Sequence, residues 1–142
     1  MAIEIQINPL DFEPDIAIGI DLPIGGKNGT TFKQTYLTLD QAVANAKNLI
    51  LTDQGERIMQ PTFGCNLKKT LFENLTPEIV SGLESDIRDN FTYWLPYIFI
   101  NELLVEPSED LNRLNIRLTI SLEGNKFDTR SVQIIIANNQ PL

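Results

Sequence analysis

Residues 55–67, Gly-Glu-Arg-Ile-Met-Gln-Pro-Thr-Phe-Gly-Cys-Asn-Leu, leave the chain few routes. Gly55 can end a preceding helix in the left-handed region, Pro61 and Gly64 mark a turn, and Asn66 can cap a following helix. Only a short extended run fits between these signals, so the flanking elements must sit close together. The spacing predicts a corner whose structural residues are Gly55, Pro61, Phe63 and Gly64, with Phe72 just beyond it. Gly64 is expected at positive φ, or packed too tightly for a side chain, because the chain must reverse there into the Asn66 cap.

Upstream, Thr38-Leu39-Asp40-Gln41 has capping-box spacing, and Leu39, Ala42, Val43, Ala46, Leu49 and Ile50 form one helical stripe. The prediction is a helix from Thr38 to about Asp53, ended by Gly55. Downstream, a short helix begins after Asn66 with Leu67 and Leu71 as its apolar positions and Phe72 as a further candidate. A longer one starts at Thr76-Pro77-Glu78, with Thr76 as cap, Pro77 in the first turn and Glu78 at the positive end of the dipole. Val80, Leu83, Ile87, Phe91 and Trp94 keep the helical period, and Pro96 restrains Leu95 so that the helix stops there.

From Tyr97 onward the period becomes that of strands, over 98–105, 114–122 and 129–137 with turns at 106–110 and 123–126. Leu114, Ile116, Leu118, Ile120 and Leu122 alternate with polar residues, as in a sheet buried on one face. A strict two-residue Gly124-Asn125 turn would set Leu118 against Ser131. A longer loop or a bulge sets Leu118 against Val132 and Ile116 against Ile134, the register expected because a one-residue slip turns a whole apolar set outward.

Residues 1–37 carry Pro9, Pro14, Pro23 and several glycines, which opposes a long helix and reads as an extended arm. Ile16, Ile18, Ile20, Leu22 and Ile24 alternate along it, so one face can dock on the protein's own core or on a partner. The loop at 25–29 is a weak phosphate cradle, since no Gly-Lys-Ser/Thr follows. Residues 138–142 read as a short polar tail. The fold class expected is α+β: the arm at 1–37, then a single domain at 38–142 with three helices packed on a small, mainly antiparallel C-terminal sheet.

Nineteen acidic against eleven basic side chains give a net charge of -8. That balance disfavours nucleic acid and anionic membrane surfaces as partners. With one cysteine and no histidine, a disulfide framework, the common zinc patterns and histidine acid/base chemistry are excluded within the chain. No cofactor is expected. The N-terminal residues lack the pattern of a secretory leader and no apolar run approaches a membrane span, so the expectation is a soluble chain that folds in a reducing cytosol.

Gly-Glu-Arg-x3-Pro-x-Phe-Gly at 55–64, Leu71-Phe72-Glu73 after it, and the order of helices followed by three strands resemble the sheath-initiating baseplate wedge proteins of contractile-tailed phages. The arm shares in this, since Ile-Gly-Ile-x-Leu-Pro at 18–23 precedes a Thr-x-Asp-Gln helix start at 38–41. The TssE subunit of type VI secretion is a bacterial relative. The resemblance implies a structural protein present in several copies in a virion tail baseplate, assembled in the host cytoplasm, with other wedge subunits and the tail sheath protein as partners. It implies binding to the helical core bundle of the wedge, through Glu56, Arg57, Glu73, Pro96 and Tyr97. Where many members have Glu-Pro-Arg after the long helix, this chain has Leu95-Pro96-Tyr97, so that contact becomes more apolar or passes to Glu56 and Arg57.

The resemblance also implies a strand edge on which the first sheath ring is built. The strand at 114–122 has the pattern of a central strand, so the candidates are 98–105 and 129–137. The latter is favoured for Val132, Ile134, Ile135 and Ile136 and for its nearness to a terminus. Arm residues 16–24 are candidates to cover that edge until sheath arrives.

Members of the same family have been labelled lysozyme-like. A glycosidase needs two carboxylates facing each other at roughly 5 to 9.5 Å, for which Glu73 with Glu56 or Glu78 would be the candidates. The structural alternative is that Glu73 accepts hydrogen bonds from Arg57 or from amides of the corner. A soluble adaptor unrelated to tails would account for the composition but not for the corner motif. Cys65 reads as a near-core thiol, Phe91 and Trp94 as core or interface anchors, and Lys68 and Lys69 as a solvated helix face or a contact for an acidic partner.

Overall fold

The computed structural model describes residues 8–22, 32–108 and 113–137. Ile24, the loop at 25–29, Glu109, Asp110 and the tail at 138–142 lie outside them. A 3-10 turn, Pro9–Phe12, is followed by β1 (Gly19–Ile20), β2 (Gln34–Thr35), α1 (Thr38–Leu51), α2 (Leu67–Thr70), α3 (Pro77–Trp94), β3 (Ile98–Ser108), β4 (Arg113–Leu122) and β5 (Asn125–Ala137). β3, β4 and β5 form an antiparallel sheet in that order, so β4 is central as its alternation predicts. α3 lies over β3 and α1 over β4 and β5, all on one face.

The core forms where the helical stripes meet the inward side of the sheet. Leu49 and Ile50 of α1, Ile87 and Phe91 of α3, and Leu114, Ile116, Leu118 and Ile120 of β4 are fully buried. The inter-strand register is the expected one, with Ile116 opposite Ile134 and Leu118 opposite Val132. It is reached by a tight turn at Glu123 and Gly124, which pairs Leu122 with Asn125, and by a shift that brings Ser121 opposite Thr129. β5 therefore starts four residues earlier than the predicted 129. β3 runs on through Pro107 and Ser108, where a turn is predicted. As an edge strand it can carry a proline, because the missing N–H need not face β4.

α3 follows the sequence signals closely. Thr76 Oγ1 accepts the Ile79 N–H at 3.4 Å, Pro77 opens the first turn, and the helix stops at Leu95 before Pro96. α1 departs at both ends. Thr38 is the first helical residue and does not cap its own helix; Asp11, 27 residues earlier, accepts from both the Thr38 N–H and the Thr38 hydroxyl at 2.8 Å. Gln41 points elsewhere, toward Thr35 and Asn45. At the other end the helix stops at Leu51, short of the predicted Asp53, and Gly55 does not terminate it. Thr52 is extended because its carbonyl is taken by the Cys65 N–H at 2.9 Å, across the corner. Asn66 stands at the N-cap of α2 and accepts the Thr70 N–H on its backbone carbonyl, but its side chain does not cap the helix and its amide donates to Gln54 instead.

The arm contains the 3-10 turn and a β-pair. The Ile18 N–H donates to Thr35 and the Asp21 N–H to Lys33, both at 2.7 Å. Along the alternating face of the arm, Ile16 and Ile20 are exposed while Ile18 and Leu22 are half-buried, so that face docks on the protein only in part. Nor does β1 cover β5: its strand partner is β2.

Candidate interface surfaces at the corner and the sheet edge

The corner is a run of turns, not the short extended segment predicted. The amides of Glu56, Gln60 and Phe63 each donate three residues back, at 3.1 to 3.2 Å. Two longer bonds close the loop, Gly55 N–H to the Pro61 carbonyl at 2.8 Å and Cys65 N–H to Thr52. Both glycines have positive φ, 92° at Gly55 and 113° at Gly64. A Cβ at Gly64 would collide with the Thr52 carbonyl, so conformation and space both require glycine there. Phe63 anchors the loop: it is buried, meets Trp94 edge-on at 5.2 Å, and carries the Arg57 guanidinium 3.8 Å above its ring.

With Phe63 inside, the loop tip is turned out. Ile58 is 93% exposed and Met59 92%. Neither residue stood out in the sequence, although an apolar pair in a turn, outside any helical or strand period, is a readable signal. Phe72 is 73% exposed, so its ring packs on the surface and does not help to close the corner. Cys65 is buried, and burial, with a smaller contribution from the Asp86 charge, pushes its thiol pKa up to about 12.

Charges bind the corner to α2. Lys68 bridges Asp53 at 3.0 Å and Glu56 at 3.5 Å. The hydrogen bond and charge of Asp53, then those of Glu56, raise the pKa of this exposed lysine. Glu56 is thus shared with an internal partner, and Arg57 donates to Gln60 as well as covering Phe63. Glu73 is exposed, and among the described residues no hydrogen bond joins it to Arg57. Glu78 has its pKa lowered by its own backbone amide and by the Thr76 hydroxyl, the reverse of what a general acid needs.

Pro96 is exposed beside this region, and Tyr97 is half-buried. The Tyr97 hydroxyl ends a relay of side chains: the Thr35 hydroxyl donates to Gln41 at 2.6 Å, the Gln41 amide to Asn45 at 3.0 Å, and the Asn45 amide to Tyr97 at 2.7 Å. The relay ties the arm, α1 and the start of β3 together.

On the far side of the sheet, β5 has, among the described residues, a strand neighbour on one side only. Val132 and Ile134 point into the core, Ile136 is half-buried, and Ile135 is 62% exposed on the outer face. Beside β5 lies a cleft of about 740 Å³, between Arg130 and Ser131 of β5 and residues 32–36 around β2, with Asp40, Val43 and Lys47 of α1 beneath. Lys47 also lines a second cleft of about 610 Å³, which continues past Leu51, Ile134 and Ile135 to Leu22.

The fold is one that tail-associated proteins use. It matches the baseplate of the anti-feeding prophage with a TM-score of 0.60 at 23% identity, over 76% of this chain and 86% of that one. It also matches a protein of Geobacter sulfurreducens described as a tail lysozyme, with a TM-score of 0.62 at 18% identity, over 78% of this chain and 100% of that one. The chain belongs to the family of Baseplate wedge protein gp25, structural subunits of contractile tails, whose model matches residues 38–126. It is 30% identical over 91 residues to Baseplate wedge protein gp25 of Enterobacteria phage T4, covering 64% of this chain and 69% of the phage protein.

Proposed function

We propose that this subunit joins the wedge through its corner and starts the sheath through β5. The corner presents Ile58 and Met59 as an apolar tip on a loop closed by its own backbone, and a rigid apolar tip loses little conformational entropy on docking. Glu56 and Arg57 flank it, Glu73 and Pro96 extend the contact, and Tyr97 supports it from within. The partner is the helical core bundle of the wedge. The arm at 1–37 and the domain at 38–142 act together in this, the described arm residues Asp11 and Thr35 bonding to α1. The role is structural and not hydrolytic, a reading supported by the lowered pKa of Glu78 and the engagement of Glu56 with Lys68. Assembly proceeds in the host cytoplasm, with no nucleic acid or membrane as partner.

The observation that carries the sheath reading is the side of β5 that no described strand pairs, whose N–H and C=O groups can accept a strand from the first sheath subunits. Backbone N–H groups alternate sides along a strand, so of Ile135→Pro and Ile136→Pro one removes a donor from the free edge. The folded variant of that kind should still co-purify with wedge proteins, while its baseplates fail to grow sheath in electron micrographs. Normal sheath on baseplates carrying both folded variants would overturn the reading.

A further inference from the structure

Among the described residues, β5 is not alone in leaving an edge unpaired beside the cleft; β2 does so too. The carbonyls of Lys33 and Thr35 face β1, where they accept from Asp21 and Ile18. Because backbone groups alternate along a strand, the N–H and C=O of Gln34 face away from β1. Residues of β2 form one wall of the cleft whose other wall is Arg130 and Ser131 of β5. Its floor is one face of α1, and the second cleft continues this trough along β5 to Ile135. From Arg130 to Ile135 the run is roughly 20 Å long at the rise of a strand.

We propose that the strand received at β5 is paired on both sides, by β5 and by β2, so that the two-stranded and three-stranded sheets become one. This rests on the strand-addition reading above and adds to it the second wall and the chemistry of the guest. Side chains of an inserted strand alternate between the α1 floor and solvent. The floor offers Val43 and Leu51 for apolar residues and Lys47 for an acidic one, with Leu22 of the arm adding to the apolar lining. Around the trough, Lys33 is neutralised by Asp21 at 3.2 Å, and Arg130 by Asp128 at 2.9 Å and Asp40 at 3.5 Å. Lys47 makes no ion pair among the described residues; its ammonium donates to the Leu22 carbonyl at 3.2 Å. The guest is therefore an extended sheath segment with apolar residues at alternate positions and a carboxylate among them, placed to reach Lys47.

Hydrogen–deuterium exchange on the full chain, alone and with its tail's purified sheath subunit, tests this directly. Protection is expected at 33–36 and at 130–136 together. Gln34→Pro, which removes only the outward donor of β2, should weaken sheath binding about tenfold, while Gln34→Ala should not. Lys47→Glu should weaken it, and more so at low salt. Protection confined to 130–136, with Gln34→Pro binding normally, would overturn double pairing and leave addition at β5 standing. Sheath binding without protection at either place would overturn both.

Discussion

The corner and the arm are alike in composition, both rich in proline, glycine and short polar residues, yet they are held in different ways. The corner closes on itself through backbone bonds within 52–65, sunk on one buried ring, Phe63. The described part of the arm is fixed by side chains that reach α1, Asp11 to Thr38 across 27 residues and Thr35 to Gln41. A loop of the first kind carries its shape wherever its few residues are kept. A segment of the second kind has a shape only while its helix is present, which suits a region that must accommodate a guest strand.

Gly64→Ala gives the largest contrast. It combines a positive φ with a collision against the Thr52 carbonyl, and should cost about 3 kcal/mol in thermal or denaturant unfolding. A normal melting temperature would show that the corner is not closed as described. Asp11→Ala should cost about 1 kcal/mol, the ordinary value of a lost cap, and should speed amide exchange in the first turn of α1 while leaving 52–65 protected. If exchange also rises in the corner, the two regions are not independently held. The smallest effect is the first alkaline loss of stability, read just above pH 9. With its pKa raised from 9.0 to about 12, Cys65 stays protonated in the folded protein while the unfolded chain ionises, so stability is whole below pH 9 and falls as pH rises toward 12. Cys65→Ala should show a shallower loss over that range, the difference being less than about 1 kcal/mol near its foot. Equal slopes would mean that the thiol is more hydrated than its burial implies.

The same distinction explains which parts of the fold the sequence makes legible. α3 is written in adjacent residues, a cap, a proline and a period, and it lies where they put it. The β4–β5 register is legible because its apolar sets are long enough to make the alternative costly. The cap of α1 is not legible, because Asp11 and Thr38 are brought together only by the folded arm. The early end of α1 depends on a bond from Cys65, and β3 runs through Pro107 because it proves to be an edge strand. Of the interface, Arg57 and Phe63 announce the corner by motif. Ile58 and Met59 carry no periodic signal, and become notable only once Phe63 is seen to turn inward and leave them outside.

The chain of Thr35, Gln41, Asn45 and Tyr97 is hydroxyl, amide, amide, hydroxyl. A hydroxyl can give or receive, but each amide gives at one end and receives at the other. Every bond in the series can therefore be reversed, provided that all are reversed together; turning Gln41 alone would set its oxygen against that of Asn45, and turning Asn45 alone would set N–H against N–H at the same junction. The four side chains share a single sense of direction, and a demand placed on the Thr35 hydroxyl is met or refused at Tyr97, one turn further along the same face of α1.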